Sequence, residues 1–171
     1  MDQSLTPSPS QGEMVRVHLA QQAVNSAKNF YWIAALSFIN SIITAFGGEF
    51  YLVMGMATTI FVDYFAVGMA EEAPELKLIF TGVALVVSFI ISAIAALFGY
   101  LAVTGRRWAF IVGMAFYAVD TLIVLVLQEW MGVLVHLFFL YALFTGVRAL
   151  TQLRKLEPQA QNEFPKNIGM S

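Results

Sequence analysis

Two residues in the C-terminal half of the chain carry side chains that could share or exchange a proton, Asp120 and His136. Each lies inside an apolar run, and the polar break Gln128-Glu129-Trp130 separates the two runs. Ionisable side chains are rare in such runs, and where they occur they pair with one another or mark a path for ions or protons. Asp120 and His136 are therefore the first candidates for chemistry in this sequence.

Apolar runs dominate the rest of the sequence as well, since 59% of the residues are apolar and 12% are charged. Soluble domains are about half apolar and about one quarter charged. A helix needs about 20 mainly apolar residues to cross a bilayer, and runs without strand-like alternation favour helices over a membrane barrel. The sequence therefore predicts an all-α polytopic membrane protein. The runs cover residues 30–47, 50–70, 78–103, 108–127 and 131–150.

The run at 50–70 decides the number of spans. It contains Asp63, and a carboxylate at the centre of a span costs about 2.5–3.5 kcal/mol on insertion scales. If this run crosses the membrane, the nine lysines and arginines divide three to six between the two sides, whereas they divide eight to one if it does not. Because cytoplasmic loops are enriched in lysine and arginine, we expect the second arrangement, with both termini in the cytoplasm and the protein in a bacterial inner (plasma) membrane.

This arrangement gives a four-helix transmembrane bundle with one additional non-spanning segment. Residues 1–29 are predicted to form a cytoplasmic tail and surface helix, with Ser10 and Glu13 at capping-box spacing. Residues 30–156 are predicted to form a single transmembrane domain, and residues 157–171 a flexible cytoplasmic tail. The spans are placed at about 30–47, 76–103, 108–127 and 131–150, with 50–70 as a re-entrant or interfacial segment on the outer side.

Helical rise brings several polar residues to a similar depth below the outer surface. Asp120 lies about 13 Å and His136 about 10 Å below the polar break between their helices, at 1.5 Å per residue. A short connection makes these helices neighbours, so a contact between the two side chains is expected. We predict an outward-facing polar pocket for a small solute or ion, formed by Asp120, His136, Asn40, Asp63 and Glu49.

Three interpretations of this cluster remain open. The polar residues could tie the helices together, since such contacts are worth about 0.6–2 kcal/mol in membranes. They could instead form a solute, proton or ion pathway, because Asp and His can change charge. They could also form an enzyme or metal site completed by Asp63 and Glu49. We favour a non-enzymatic protein that packs helices or binds a partner, with proton-coupled transport or intramembrane catalysis by Asp120 and His136 as the alternative.

Several functions lack the residues they would need. The sequence has no cysteine, which excludes disulfides and thiolate metal sites, and no hydrolase, zinc-protease or phosphate-loop motif. We therefore expect no cofactor, no metal and no catalytic residues. The net charge of −2 suggests no nucleic-acid partner, so the expected partners are the lipid bilayer and either a second copy or another membrane protein. Cations near anionic lipid contribute about 1 kcal/mol each, and the candidates for headgroup contact are Arg106, Arg107, Arg148, Arg154 and Lys155.

Overall fold

The computed structural model describes residues 11–48 and 55–163, with side chains as far as Leu156. Throughout this part of the chain the secondary structure is helical, with no strand, as the sequence predicts. The helices are α1 (Gln11–Ala27), α2 (Asn29–Ala45), α3 (Ala57–Glu72), α4 (Lys77–Val103), α5 (Arg107–Val126) and α6 (Trp130–Glu163). A 3-10 turn, Pro74–Leu76, leads from α3 into α4.

Three of the helical segments are long and apolar enough to cross a membrane: Pro74–Val103, Arg107–Val126 and Trp130–Leu156. They match three of the four predicted spans. Their outer faces carry large apolar side chains, such as Leu78, Phe116 and Phe138, which are 85%, 65% and 64% exposed. Apolar surface of this extent is what a lipid-facing helix presents and what a soluble monomer avoids. The predicted span at 30–47 corresponds to α2, which at 17 residues is shorter and is not among the three.

Helices α1 and α2 form an almost continuous rod. Lys28, which separates them, keeps right-handed helical angles of −61° and −19°. Its N–H still donates to the Val24 carbonyl at 3.1 Å, and its own carbonyl accepts from the Trp32 N–H at 3.3 Å. The helical hydrogen-bond pattern therefore runs through the junction, which is a local kink and not a loop.

Helix α1 occupies part of the segment for which a surface helix is predicted, and one of its faces packs along α6. Arg16 donates to the Leu156 carbonyl at 3.0 Å, and the Ser26 hydroxyl donates to the Ala142 carbonyl. The partners show that the two helices run antiparallel. The contact is close because Gly146 of α6 has no side chain, and Ser26 fills the space a Cβ would take. The predicted cap, Ser10, lies outside the described residues.

Left-handed residues end three of the helices. Gly47 after α2, Gly105 after α4 and Gln128 after α5 have φ angles of 78°, 79° and 58°. Each reversal lets nearby N–H groups bond the last carbonyls of the helix, as when the Arg106 N–H donates to Leu101 at 3.1 Å. A glycine is the usual residue at such a position, as at Gly47 and Gly105. The polar break at 128–130 is also a turn, although its left-handed residue is not glycine.

The first turn of α3 lies alongside the middle of α2 and not beside the end of that helix. Just before it, Gly55 lies against α2, and the Met56 N–H donates to the Ser37 hydroxyl at 2.7 Å. Ser37 is eight residues before the end of α2, so the chain has returned about 12 Å along that helix at 1.5 Å per residue. Asp63 of α3 then meets Ser88 of α4 at 3.1 Å, and α3 and α4 form an antiparallel pair.

Candidate functional site

Asp120 of α5 and His136 of α6 form a buried pair. The Oδ2 atom of Asp120 lies 3.0 Å from Nε2 of His136, and the two residues are 3% and 1% exposed. The pairing follows from the turn between the helices, because Asp120 is six residues before the last residue of α5 and His136 is six residues after the first residue of α6. The contact expected from the sequence is therefore present.

The second ring nitrogen of His136 defines where the protons of this pair must be. Nδ1 lies 2.8 Å from the carbonyl oxygen of Gly132, and a carbonyl oxygen only accepts, so Nδ1 carries a hydrogen and donates it. Nε2 faces a carboxylate oxygen, and a second proton is required for a hydrogen bond between those two atoms. His136 and Asp120 therefore share one proton in addition to the hydrogen on Nδ1.

The same carboxylate caps the start of α3. The Ala57 N–H donates to Oδ2 at 2.9 Å and the Thr58 N–H donates to Oδ1 at 2.8 Å, while the Thr58 hydroxyl also donates to Oδ1. The first N–H groups of a helix have no partner in their own helix and carry partial positive charge. These donors and the positive end of α3 all face Asp120 and favour its carboxylate form.

Tyr117 fixes the plane of the His136 ring. The two rings are stacked with centroids 4.8 Å apart and planes inclined by 8°. Phe139 packs edge-on against Tyr117, with centroids 6.3 Å apart. The Tyr117 hydroxyl is buried and has no hydrogen-bond partner among the described residues. The tyrosine therefore orients the His136 ring through its own ring and not through its hydroxyl.

Two cavities meet the pair from different sides. The larger, about 370 Å³, lies between α3 and the ends of α5 and α6 that the turn joins, with His136 in its wall and Glu129 of the turn beside it. The smaller, about 250 Å³, lies between α2, α4 and α5, with Asp120, Thr58 and Tyr117 at one end and apolar side chains elsewhere. The Asp120–His136 pair and the first turn of α3 are therefore a partition between two spaces.

The other residues of the predicted pocket lie elsewhere. Asn40 is 1% exposed and lies on α2 against Gly55, where a Cβ would be 2.5 Å from its Nδ2 atom. Asp63 is buried on α3 beside Ser88 of α4, apart from the Asp120–His136 pair. Glu49 lies outside the described residues. Asp120 and His136 are thus brought together, while Asn40 and Asp63 serve separate contacts.

Sequence reasoning missed the main-chain partners that α3 contributes. Asp120 binds main-chain N–H groups, and every residue except proline carries such a group, so the side-chain types give no sign of the contact. Ser37 belongs to a polar helix face and Tyr117 to an apolar run, and neither position is distinctive in the sequence. One signal was available, because α3 starts after Met56, which offers no side chain to cap a helix. An apolar helix that lacks its own cap must have its first N–H groups satisfied by another element or by water.

The residues proposed to contact headgroups lie at the opposite end of the helices. Arg106, Arg107 and Arg154 line one surface groove with Trp108, and Arg154 donates to the Gly105 carbonyl at 3.1 Å. Arg148 lies over the Phe144 ring, with Cζ 6.0 Å from the centroid. Lys155 is exposed. A cationic groove with an adjacent tryptophan is typical of the membrane interface.

Comparison with known proteins adds no relative: no family model, curated protein or solved structure is significantly similar to this chain. The site therefore has to be interpreted from its own geometry. The fold and the apolar surface define an all-helical protein in which three helices can span a membrane.

Proposed function

We propose that this is a non-enzymatic integral membrane protein with four membrane passes, the fourth being the rod formed by α1 and α2. The rod is helical from Gln11 to Ala45 apart from the kink at Lys28, which is more than a bilayer requires. The rod also packs against two of the candidate spans. The centroid of the Phe30 ring lies 6.5 Å from that of Phe98 on α4 and 6.2 Å from that of Phe110 on α5.

In this arrangement α3 is a re-entrant helix that enters from the outer side. Its first turn is held at the depth of Asp120, and it leads through the turn at Pro74 to the outer end of α4. Backbone that is not part of a full span is tolerated at membrane depth where protein or a water-filled cavity covers it. The cationic groove at Arg106 and Arg154 then faces the cytoplasm, as the distribution of lysine and arginine favours, with both termini on that side of a bacterial plasma membrane.

The function we propose is binding of a small, largely apolar solute in the 370 Å³ cavity, which faces outward beside Glu129 and has α3 as one wall. One observation carries the proposal: both oxygens of Asp120 accept N–H groups at the start of α3, and both ring nitrogens of His136 are occupied, one by Asp120 and one by the Gly132 carbonyl of α6. No ring nitrogen is left to act on a molecule in either cavity, which favours a binding wall over a catalytic pair. The volume is within the usual range of about 300–1,000 Å³ for small-molecule sites.

Access from outside can be tested with single cysteines, since the native chain has none. Ile60 lines the 370 Å³ cavity, and Ile94 lines the 250 Å³ cavity. We expect a membrane-impermeant maleimide added to intact cells to modify Ile60→Cys and to leave Ile94→Cys unmodified. Equal protection of both variants would remove the outward-facing cavity and the proposal with it.

Occupancy is tested on the purified protein by native mass spectrometry after mild detergent extraction. We expect a bound molecule in the wild type and its loss in Ile60→Trp, which fills the cavity, while the melting temperature of the variant stays within a few degrees of the wild type. A variant that keeps the same adduct would show that the molecule binds elsewhere.

Proton-coupled transport is the second candidate, because the Asp120–His136 pair separates two cavities and shares one proton. If the protein moves protons, the interior of protein-containing vesicles loaded with pyranine should become more acidic when a membrane potential is imposed. The variant His136→Leu should not show this acidification. If vesicles with the wild-type protein acidify no faster than vesicles without protein, the Asp120–His136 pair serves only to hold the helices together.

A further inference from the structure

Asp63 of α3 is a buried acid with an unused oxygen. It is 4% exposed, and its Oδ1 atom accepts from the Ser88 hydroxyl at 3.1 Å. The Ser41 hydroxyl of α2 lies beside this carboxyl. The Oδ2 atom has no partner among the described residues. Such groups are exceptional in folded proteins and require an explanation.

No cation of the described chain pairs with Asp63, whose neighbours on α2 and α4 are hydroxyls and apolar side chains. Lys77, at the start of α4, is exposed and eleven residues from Ser88, which is about 16 Å along the helix. An unpaired carboxylate inside protein at membrane depth is costly. A carboxyl in this setting is either protonated or balanced by a cation that the described side chains do not supply.

The space in front of Asp63 fits one small occupant. A cavity of about 20 Å³ is lined by Asp63, by the hydroxyl-bearing residues Ser41, Thr44 and Thr81, and otherwise by apolar side chains. This volume is close to that of one water-sized sphere, about 10–15 Å³. Four side chains with oxygen atoms thus surround a space for a single water or a small ion.

The end of α2 adds a second favourable element. Thr44 and Ala45, which line the cavity, are the last two residues of that helix. The carbonyl end of a helix carries partial negative charge and stabilises cations, and helix ends of this kind coordinate Na⁺ in membrane proteins with interrupted helices. The site therefore combines a full negative charge, hydroxyl oxygens and a helix C-terminus.

We propose that this cavity binds one Na⁺ ion, held by the Asp63 carboxylate and by the hydroxyls of Ser41, Thr44 and Thr81. Hard cations take oxygen ligands. A monovalent ion neutralises the single carboxylate, whereas a divalent ion would leave a net positive charge buried, which is expensive. A water molecule would bond Oδ2 but leave the charge unbalanced. The ion would join α2, α3 and α4, the helices that contribute its ligands.

The proposal is tested by the binding of ²²Na⁺ to the purified full-length protein in a scintillation proximity assay, together with thermal melting in NaCl against choline chloride of equal ionic strength. We expect one Na⁺ per chain. A free Na⁺ concentration of 100 times Kd should raise Tm by about 5–10 °C. A ligand that binds only the folded state stabilises it in proportion to the logarithm of the ligand concentration.

Asp63→Asn should abolish both ²²Na⁺ binding and the difference between NaCl and choline chloride. If that variant does not fold, Thr81→Val decides, because it removes one hydroxyl without changing shape and should weaken Na⁺ binding at least tenfold. The matched control is Thr151→Val. The Thr151 hydroxyl donates at 2.7 Å to the Val147 carbonyl of its own helix, so this variant should bind Na⁺ as the wild type does. Absence of ²²Na⁺ binding to the wild type, or unchanged binding in Thr81→Val, would overturn the site.

Discussion

The Met56 N–H donates to the Ser37 hydroxyl at 2.7 Å, and the same hydroxyl donates to the Ile33 carbonyl of its own helix at 2.7 Å. Ser37 is therefore used as donor and acceptor at once, with no exposed surface. Its acceptor role satisfies a main-chain N–H just ahead of α3, as Asp120 does for Ala57 and Thr58. Two different helices thus supply the acceptors that α3 cannot supply for itself.

We expect Ser37→Ala to destabilise the protein, because it leaves the Met56 N–H buried without an acceptor. Such a loss costs about 1–3 kcal/mol, which corresponds to a fall in Tm of about 2–12 °C for a chain of this size. Ser92→Ala is the matched control, since the Ser92 hydroxyl is also buried but has no partner among the described residues. Its melting temperature should be unchanged or higher, and equal losses in the two variants would contradict the role of Ser37.

The approach of Gly55 to α2 gives a second prediction. A Cβ at position 55 would lie 2.5 Å from Nδ2 of Asn40 and 3.2 Å from Cα of Ser37, and the backbone of α2 cannot easily move. Gly55→Ala should therefore lower Tm by several degrees, as overpacking a buried contact costs about 1–3 kcal/mol.

Gly68→Ala is the control for that variant. Position 68 lies within α3, where an added Cβ would meet no neighbouring atom within 4 Å. The change should therefore raise Tm slightly through the helix propensity of alanine, worth up to about 1 kcal/mol. If Gly55→Ala is as stable as Gly68→Ala, α3 does not start against α2 as described.

Much of this architecture follows from the sequence because local patterns decide it. Helix positions follow the apolar runs, Gly105 marks an end through its left-handed conformation, and the small residues Ala84, Ser88 and Ser92 recur every four residues on the buried face of α4. The meeting of Asp120 and His136 was predictable for the same reason, since a short turn makes their helices neighbours and similar spacing from that turn puts them at similar depths.

The separation of Asp63 and Asn40 from that pair could not be predicted from spacing. It depends on how far the chain returns along α2 before α3 begins, and that distance is set by hydrogen bonds from the main chain of 56–58 to Ser37 and Asp120. Main-chain donors have no sequence signature. The sequence therefore named suitable residues for a pocket. It did not give the position of α3 along α2, which determines which of those residues lie together.

The Asp120–His136 pair should behave as one unit in stability measurements. Asp120→Asn removes the charge that faces both His136 and the start of α3, and His136→Leu leaves the carboxylate without its ion partner. Breaking a buried charged pair from one side costs about 3–5 kcal/mol in soluble proteins, so each variant should lower Tm by at least about 5 °C.

The double variant should cost less than the sum of the two single changes, because the contact is already lost after the first. Asp120→Asn should be the more harmful single change, since it also weakens the cap of α3. Thermal melting in detergent measures all four forms. Additive effects would show that the two residues stabilise the protein independently, against the shared proton inferred from the Gly132 contact.

Membrane sidedness provides the last prediction, in a chain without cysteines to confuse labelling. With α3 re-entrant, Ala73 before α4 and Glu129 between α5 and α6 lie outside, while Thr104 between α4 and α5 lies in the cytoplasm. A membrane-impermeant maleimide added to intact cells should therefore label Ala73→Cys and Glu129→Cys, and should label Thr104→Cys only after the membrane is opened. A complete crossing by residues 50–70 would instead put positions 73 and 129 on the same side as the N-terminus. Labelling of Thr104→Cys in intact cells, with protection of Ala73→Cys, would rule out the arrangement because every later helix would then have the opposite direction.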